Sequence, residues 1–139
     1  MSKVFLDTNI LAYSLDQDAG EKRDVARGLL RAGVGIGVVS TQVLQEFYVV
    51  ATRKLGVEPA LAKSILHSFR NFETVTVTAD LIEGAADCSM VHQLSFWDAL
   101  IVVSAESARC SELWSEDLDA GQIIRGVKVV NPFAKTAEG

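Results

Sequence analysis

The apolar positions of this chain fall into short continuous runs and longer runs of helical period, in alternation. Val4, Phe5 and Leu6 make a first apolar stretch, and Asp7, Thr8 and Asn9 follow as turn or cap residues before Ile10, Leu11 and Tyr13, which reads as strand, polar corner, helix. From Glu21 to Ala32, Val25, Ala26, Leu29 and Leu30 recur at helical spacing, while Arg23, Arg27 and Arg31 fall four apart on another face. An amphipathic helix with a basic stripe is expected there. Gly33, Gly35 and Gly37 break it, Ile36 to Val39 reads as a second strand, and Ser40 or Thr41 can cap a long helix running to about Lys54. Further helices are expected over 59–69, 79–92 and 96–108, with Asp80, Glu83 and Asp87 forming a solvated face on the second of these. Strands are expected over 75–77, 113–115 and 127–130, the last stopped by Asn131 and Pro132. Short apolar strands alternating with helices imply parallel βαβ units. The expectation is one domain over 1–139, an α/β three-layer α/β/α sandwich around a central parallel sheet of about five strands. In such a sheet a ligand lies beyond the carboxyl ends of the strands, near the point where their order switches.

Composition narrows this picture. Of the 139 residues, 49% are apolar, enough for a real core and too many for a disordered chain. No apolar run approaches the roughly 20 residues of a membrane span, and Met1, Ser2 and Lys3 do not open a signal peptide. A cytoplasmic protein without a membrane partner is therefore expected. Cys88 and Cys110 fall in segments that read as helices, with no Cys/His cluster beside them, so packing residues are expected rather than a disulfide or a zinc site. The formal charge of −5 argues against non-specific nucleic-acid binding through a generally basic surface.

Four acids carry candidate chemistry, each with a plain alternative. Asp7 can simply cap the helix after strand one. Asp98 stands three residues after Ser95, as in a capping box where each side chain bonds the other's N–H. Asp117 lies in Ser115-Glu116-Asp117-Leu118-Asp119, where a turn alone favours such residues. Glu46 differs, because Val43, Phe47, Val49 and Val50 surround it on its helix and no Lys or Arg is obviously dedicated to it. A carboxylate facing inward needs a cationic partner, a proton or a metal. By topology Asp7 and Asp117 follow strands while Glu46 and Asp98 sit early in helices, so all four can point at one sheet edge. Carboxylates gathered there repel unless a divalent cation offsets them, and oxygen-only ligands favour Mg²⁺ or Mn²⁺ over zinc.

Four segments now stand in order: 5–11 (FLDTNIL), 40–47 (STQVLQEF), 95–101 (SFWDALI) and 115–118 (SEDL). Together they resemble a PIN domain, and a short stand-alone one resembles the VapC-type toxin of a bacterial toxin–antitoxin pair. The resemblance implies that Asp7, Glu46, Asp98 and Asp117 coordinate metal and water for RNA phosphodiester hydrolysis, with Asp7 and Asp98 as the main ligands. It implies that Thr8, Asn9 and Ser115 support the site, Ser115 standing where such proteins often carry Thr. Asp119 is a spare acid that could share the role of Asp117. A homodimer and a cognate antitoxin protein are also implied. Arg23, Arg27 and Arg31 could steer RNA, against the alternative of an ordinary solvated face. His67, His92, Trp97 and Trp114 fall outside this chemistry, and the two tryptophans are read as core rather than as stacking platforms.

Two other α/β families share part of this pattern. A haloacid-dehalogenase-like phosphatase needs a second Asp where this chain has Asn9, and a phospho-receiver domain needs an Asp and a Lys near the places held by Thr78 and Asn131. The reading that competes in another class is a catalytically silent PIN fold serving as an RNA-binding or protein-interaction module.

Overall fold

The computed structural model describes residues 2–134. Strand β1 (Lys3–Leu6) ends at Asp7, which starts helix α1 (Thr8–Tyr13). Helix α2 (Glu21–Ala32) leads to β2 (Gly37–Ser40), and Ser40 caps α3 (Thr41–Val49) by accepting the Val43 N–H at 3.3 Å. The expected long helix does reach Lys54, but its last turn, Val50–Lys54, is π-helical. Helix α4 (Pro59–Ser68) and a 3₁₀ turn precede β3 (Glu73–Val75). Helices α5 (Ala79–His92) and α6 (Phe96–Ser107) then pack on each other, joined through Gln93 in the left-handed region. The chain closes with β4 (Cys110–Trp114), β5 (Ile123–Ile124) and β6 (Val127–Val130).

The strands form one sheet in the order β3-β2-β1-β4-β6-β5, parallel throughout except for the β5–β6 pair. The three-layer α/β/α sandwich is thus built on six strands, where about five were expected. The extra strand is two residues long and joins β6 through Arg125 and Gly126, both at positive φ, as a type I′ hairpin turn requires. Val38, Phe5 and Leu113 stand in neighbouring strands and are fully buried. Seven consecutive residues of α6, from Ala99 to Ala105, are also buried. This explains why that segment is apolar on every side rather than amphipathic.

The strand after α2 begins at a glycine for a measurable reason. A Cβ on Gly37 would stand 2.8 Å from the Phe72 ring and 2.9 Å from the Gly33 carbonyl oxygen, so only glycine lets the α2–β2 turn close against Phe72. Cys88 is buried in α5 as expected, but Cys110 is the first residue of β4 and not helical. Both are free thiols, and burial pushes the Cys110 thiol up to about 11.

The chain runs outward from β1 through β2 to β3, then returns to place β4 on the other side of β1. The order therefore switches between β1 and β4. Their carboxyl ends are tied one residue further by the Asp7 N–H donating to the Trp114 carbonyl at 3.1 Å, and the Ser115 N–H donates to Val130 at 3.0 Å. No single helix among the described residues is long and apolar enough to cross a membrane.

Candidate active site

At this switch point lies a cleft of about 580 Å³, and Asp7, Glu46, Asp98 and Asp117 all line it. The sequence separates these acids by up to 110 residues; the sheet order and helices α3 and α6 bring them together.

Asp7 is the pivot. It is only 6% exposed, and its two carboxylate oxygens accept from the Thr8 N–H at 2.7 Å and from the Ser115 hydroxyl at 2.7 Å. Capping and site-building are the same act here. Its pKa rises from 3.8 to about 6, chiefly because burial strips water from the charged form; the Ser115 and Thr8 bonds pull it down, and the Asp117 and Glu46 charges push it up. The Ser115 hydroxyl also accepts the Asp117 N–H at 3.1 Å, so one side chain fixes both acids. The Asn9 amide reaches Asp117 at 3.3 Å. Glu46 is half-buried and accepts from the Thr8 hydroxyl at 2.8 Å. Thr8, Asn9 and Ser115 therefore touch the acids they were expected to support.

Asp98 donates its N–H to Ser95 at 3.1 Å, but among the described residues no reciprocal bond holds the Asp98 carboxylate to the Ser95 N–H. The capping box is half made, and the carboxylate is left to the cleft. Asp119 is exposed and lies outside the cleft, whereas Asp117 lines it. Arg23, Arg27 and Arg31 are not brought to the cleft either. Arg27 donates to the Ser14 carbonyl at 3.0 Å and thereby ties α2 to the end of α1.

Several cleft residues escaped the sequence reading. Glu116 accepts from Tyr13 at 2.6 Å and from Lys22, linking the segment that carries Asp117 to α1 and α2. Burial alone would raise the Glu116 carboxyl, but Lys22 and Tyr13 overcome it and leave the group below its usual range. These residues are 94 and 103 apart in sequence, so no local signal pairs them. Gln42, 5% exposed, donates to the Trp97 carbonyl at 3.3 Å and so braces α3 against the start of α6; its own oxygen is buried and unpaired. Trp97 was read as core and is not: 62% of it is exposed, and it lines the cleft beside Asp98. Trp114 is half-buried, with its indole N–H on Glu112 at 3.0 Å.

The donor set is oxygen-only, with no thiol or imidazole lining the cleft, which suits a hard cation. The buried Asn9 Oδ1 has no hydrogen-bond partner and adds one more oxygen beside the acids. Among the described residues no three Asp, Glu, His or Cys side chains stand close enough to enclose an ion by themselves. Mg²⁺ does not demand that, because it usually binds through one or two carboxylates and keeps several waters. The residues present therefore fit such an ion.

The family model of the PIN domain matches residues 4–125. The chain belongs to the PIN-domain family. As a PIN domain it is similar to the sarcin–ricin loop cleaving toxin VapC20 of Mycobacterium tuberculosis, with 22% identity and a TM-score of 0.70 over 83% of this chain and 90% of that one. It is similar also to a chain of a toxin–antitoxin complex from Klebsiella pneumoniae, with 24% identity and a TM-score of 0.69 over 95% and 98%. A chain of the DNA-bound VapBC complex of Salmonella typhimurium matches with 17% identity and a TM-score of 0.67 over 93% and 97%. At these identities the likeness is one of fold. No curated protein sequence matches this PIN domain.

Proposed function

We propose that this PIN domain is a Mg²⁺- or Mn²⁺-dependent ribonuclease that hydrolyses RNA phosphodiester bonds in the cytoplasm, as the toxin of a toxin–antitoxin pair. The observation that carries the reading is the meeting of Asp7, Glu46, Asp98 and Asp117 in one cleft at the switch point of a PIN-type sheet. The toxin role is supported by the fold neighbours, which include a toxin that cleaves RNA and chains from toxin–antitoxin complexes. A homodimer and a cognate antitoxin are the partners this role implies.

Asp7 and Asp98 would hold the cation, with Glu46 and Asp117 completing the set or orienting water. When bound, the cation supplies positive charge against the phosphate and eases the ionisation of water near neutral pH. The remaining work falls to the chain. Thr8 and Ser115 keep Glu46 and Asp7 aimed by one hydroxyl each. Glu46 and Asp117 would orient water toward the phosphorus, and a half-buried carboxylate can accept its proton. Because Ser115 bonds both Asp7 and the Asp117 backbone, a shift of one acid is passed to the other.

The test is cleavage of an end-labelled RNA pool by purified protein with Mg²⁺ or Mn²⁺, beside an EDTA control and the Asp7→Asn variant. Discrete products absent from both controls are expected. No cleavage by folded, metal-loaded, antitoxin-free protein that still binds RNA would favour the silent binding module instead.

A further inference from the structure

The acids account for only part of the cleft. Its walls also carry Trp97, Val49 and Lys54, none of which suits metal binding. Trp97 and Val49 are 62% and 53% exposed, a large apolar surface inside a cleft that six carboxylates also line. Lys54 is the single cation among the lining residues and makes no ion pair among the described residues. A cleft lysine without an ion pair is free for an anionic ligand.

Resting on the nuclease reading above, we propose that this part of the cleft is a nucleotide subsite: Trp97 stacks on an unpaired base beside the attacked phosphate, and Lys54 contacts a flanking phosphate. Trp97 is held for the task. Its backbone carbonyl accepts from Gln42, its ring and that of Phe96 meet in a T-shape at 5.1 Å and 82°, and 62% of the residue stays exposed. It precedes Asp98 directly, so a base stacked on it lies next to the catalytic end of α6. Lys54 ends the π-helical turn that prolongs α3. It stands eight positions beyond Glu46, on the order of 10 Å further along the helix.

The mixture of charge and apolar surface selects the occupant. An apolar protein face pressed onto Trp97 would also desolvate the carboxylates that line the cleft, which is costly unless that face brings a cation to pair with them. A nucleobase has an apolar face with polar edges and brings its own phosphates. A base within a duplex has its faces already stacked, so the subsite selects single-stranded or looped RNA.

Binding of a fluorescein-labelled single-stranded oligoribonucleotide to Asp7→Asn protein reads the subsite without cleavage. Trp97→Leu is expected to weaken binding on the order of tenfold and Trp97→Phe much less, because the phenyl ring still stacks. Lys54→Ala should lower the salt dependence of binding by about one counterion, which Lys63→Ala outside the cleft should not. The same strand in a duplex should bind more weakly. Trp97→Leu binding as tightly as its parent would overturn the proposal while leaving the nuclease reading standing. So would unchanged RNA binding with a dimer lost, which would assign Trp97 to a protein interface. No binding of any RNA by the Asp7→Asn protein, joined to no cleavage by the wild type, would overturn both.

Discussion

At the residue scale the site is a compromise between stability and function, and Asp7 shows it most clearly. Its carboxyl is buried, and its pKa is raised from 3.8 to about 6, so the folded chain holds the proton more tightly than the unfolded chain does. Without a cation, stability should therefore fall as pH rises from about 3.8 through about 6. The full shift corresponds to a loss on the order of 3 kcal/mol. Asp7→Asn keeps a good N-cap and removes the charge. The metal-free variant should be more stable than wild type at pH 7.5 and indistinguishable from it near pH 3.5, as urea unfolding at the two pH values would reveal. Equal stability at both would mean that Asp7 is not strained by its burial. The sequence told much of this residue's story, since strand, polar corner and helix already placed an acid at a strand end. The resemblance named Ser115 as a support, but not that its hydroxyl bonds both Asp7 and the Asp117 N–H, because the Asp7 bond spans 108 residues.

At the element scale, the bounds of α2 and α5 matched their apolar periodicity, as expected for helices with one buried stripe. Three features were illegible for physical reasons. The π-helical turn at Val50–Lys54 continues a helical pattern, and no residue type marks it. Strand β5 has two residues, too few to show alternation. The placement of Trp97 failed because large aromatics are usually buried, a tendency that a residue in the first turn of a helix at a cleft need not follow. The glycine run after α2 was legible as a break, but its reason needed the fold. Gly37→Ala should cost about 1–3 kcal/mol through overpacking against Phe72. Thermal or urea unfolding measures that cost, and cleavage per folded molecule should be unchanged, since Gly37 sits at the start of β2 and the site lies beyond the strand ends. Lost activity in a fully folded variant would show that β2 transmits its position to the cleft through Ser40 and α3.

At the scale of the whole molecule, topology does the assembling: the order switch between β1 and β4 opens the cleft, the second turn of α3 brings Glu46 to it, and the first turn of α6 brings Asp98. The chain is acidic, with a formal charge of −5, and part of that excess is gathered where a cation would offset it. A ligand that binds only the folded chain stabilises it by mass action, about 2.7 kcal/mol at a hundredfold excess over Kd. Saturating Mn²⁺ should accordingly raise the melting temperature at pH 7.5, and the rise should shrink below pH 6, where Asp7 takes up a proton. A melting temperature indifferent to the cation at both pH values would separate the acids from metal binding.

The most direct measurement is a calorimetric Mn²⁺ titration at pH 7.5 of the wild type, of Asp7→Asn, Glu46→Gln, Asp98→Asn and Asp117→Asn, and of Asp119→Asn as the acid outside the cleft. Affinity should fall by roughly tenfold or more for Asp7→Asn and Asp98→Asn, less for Glu46→Gln and Asp117→Asn, and not at all for Asp119→Asn. Wild-type affinity in all four cleft variants would contradict the account, because the acids that the fold brings together would then not be the ones that hold the cation.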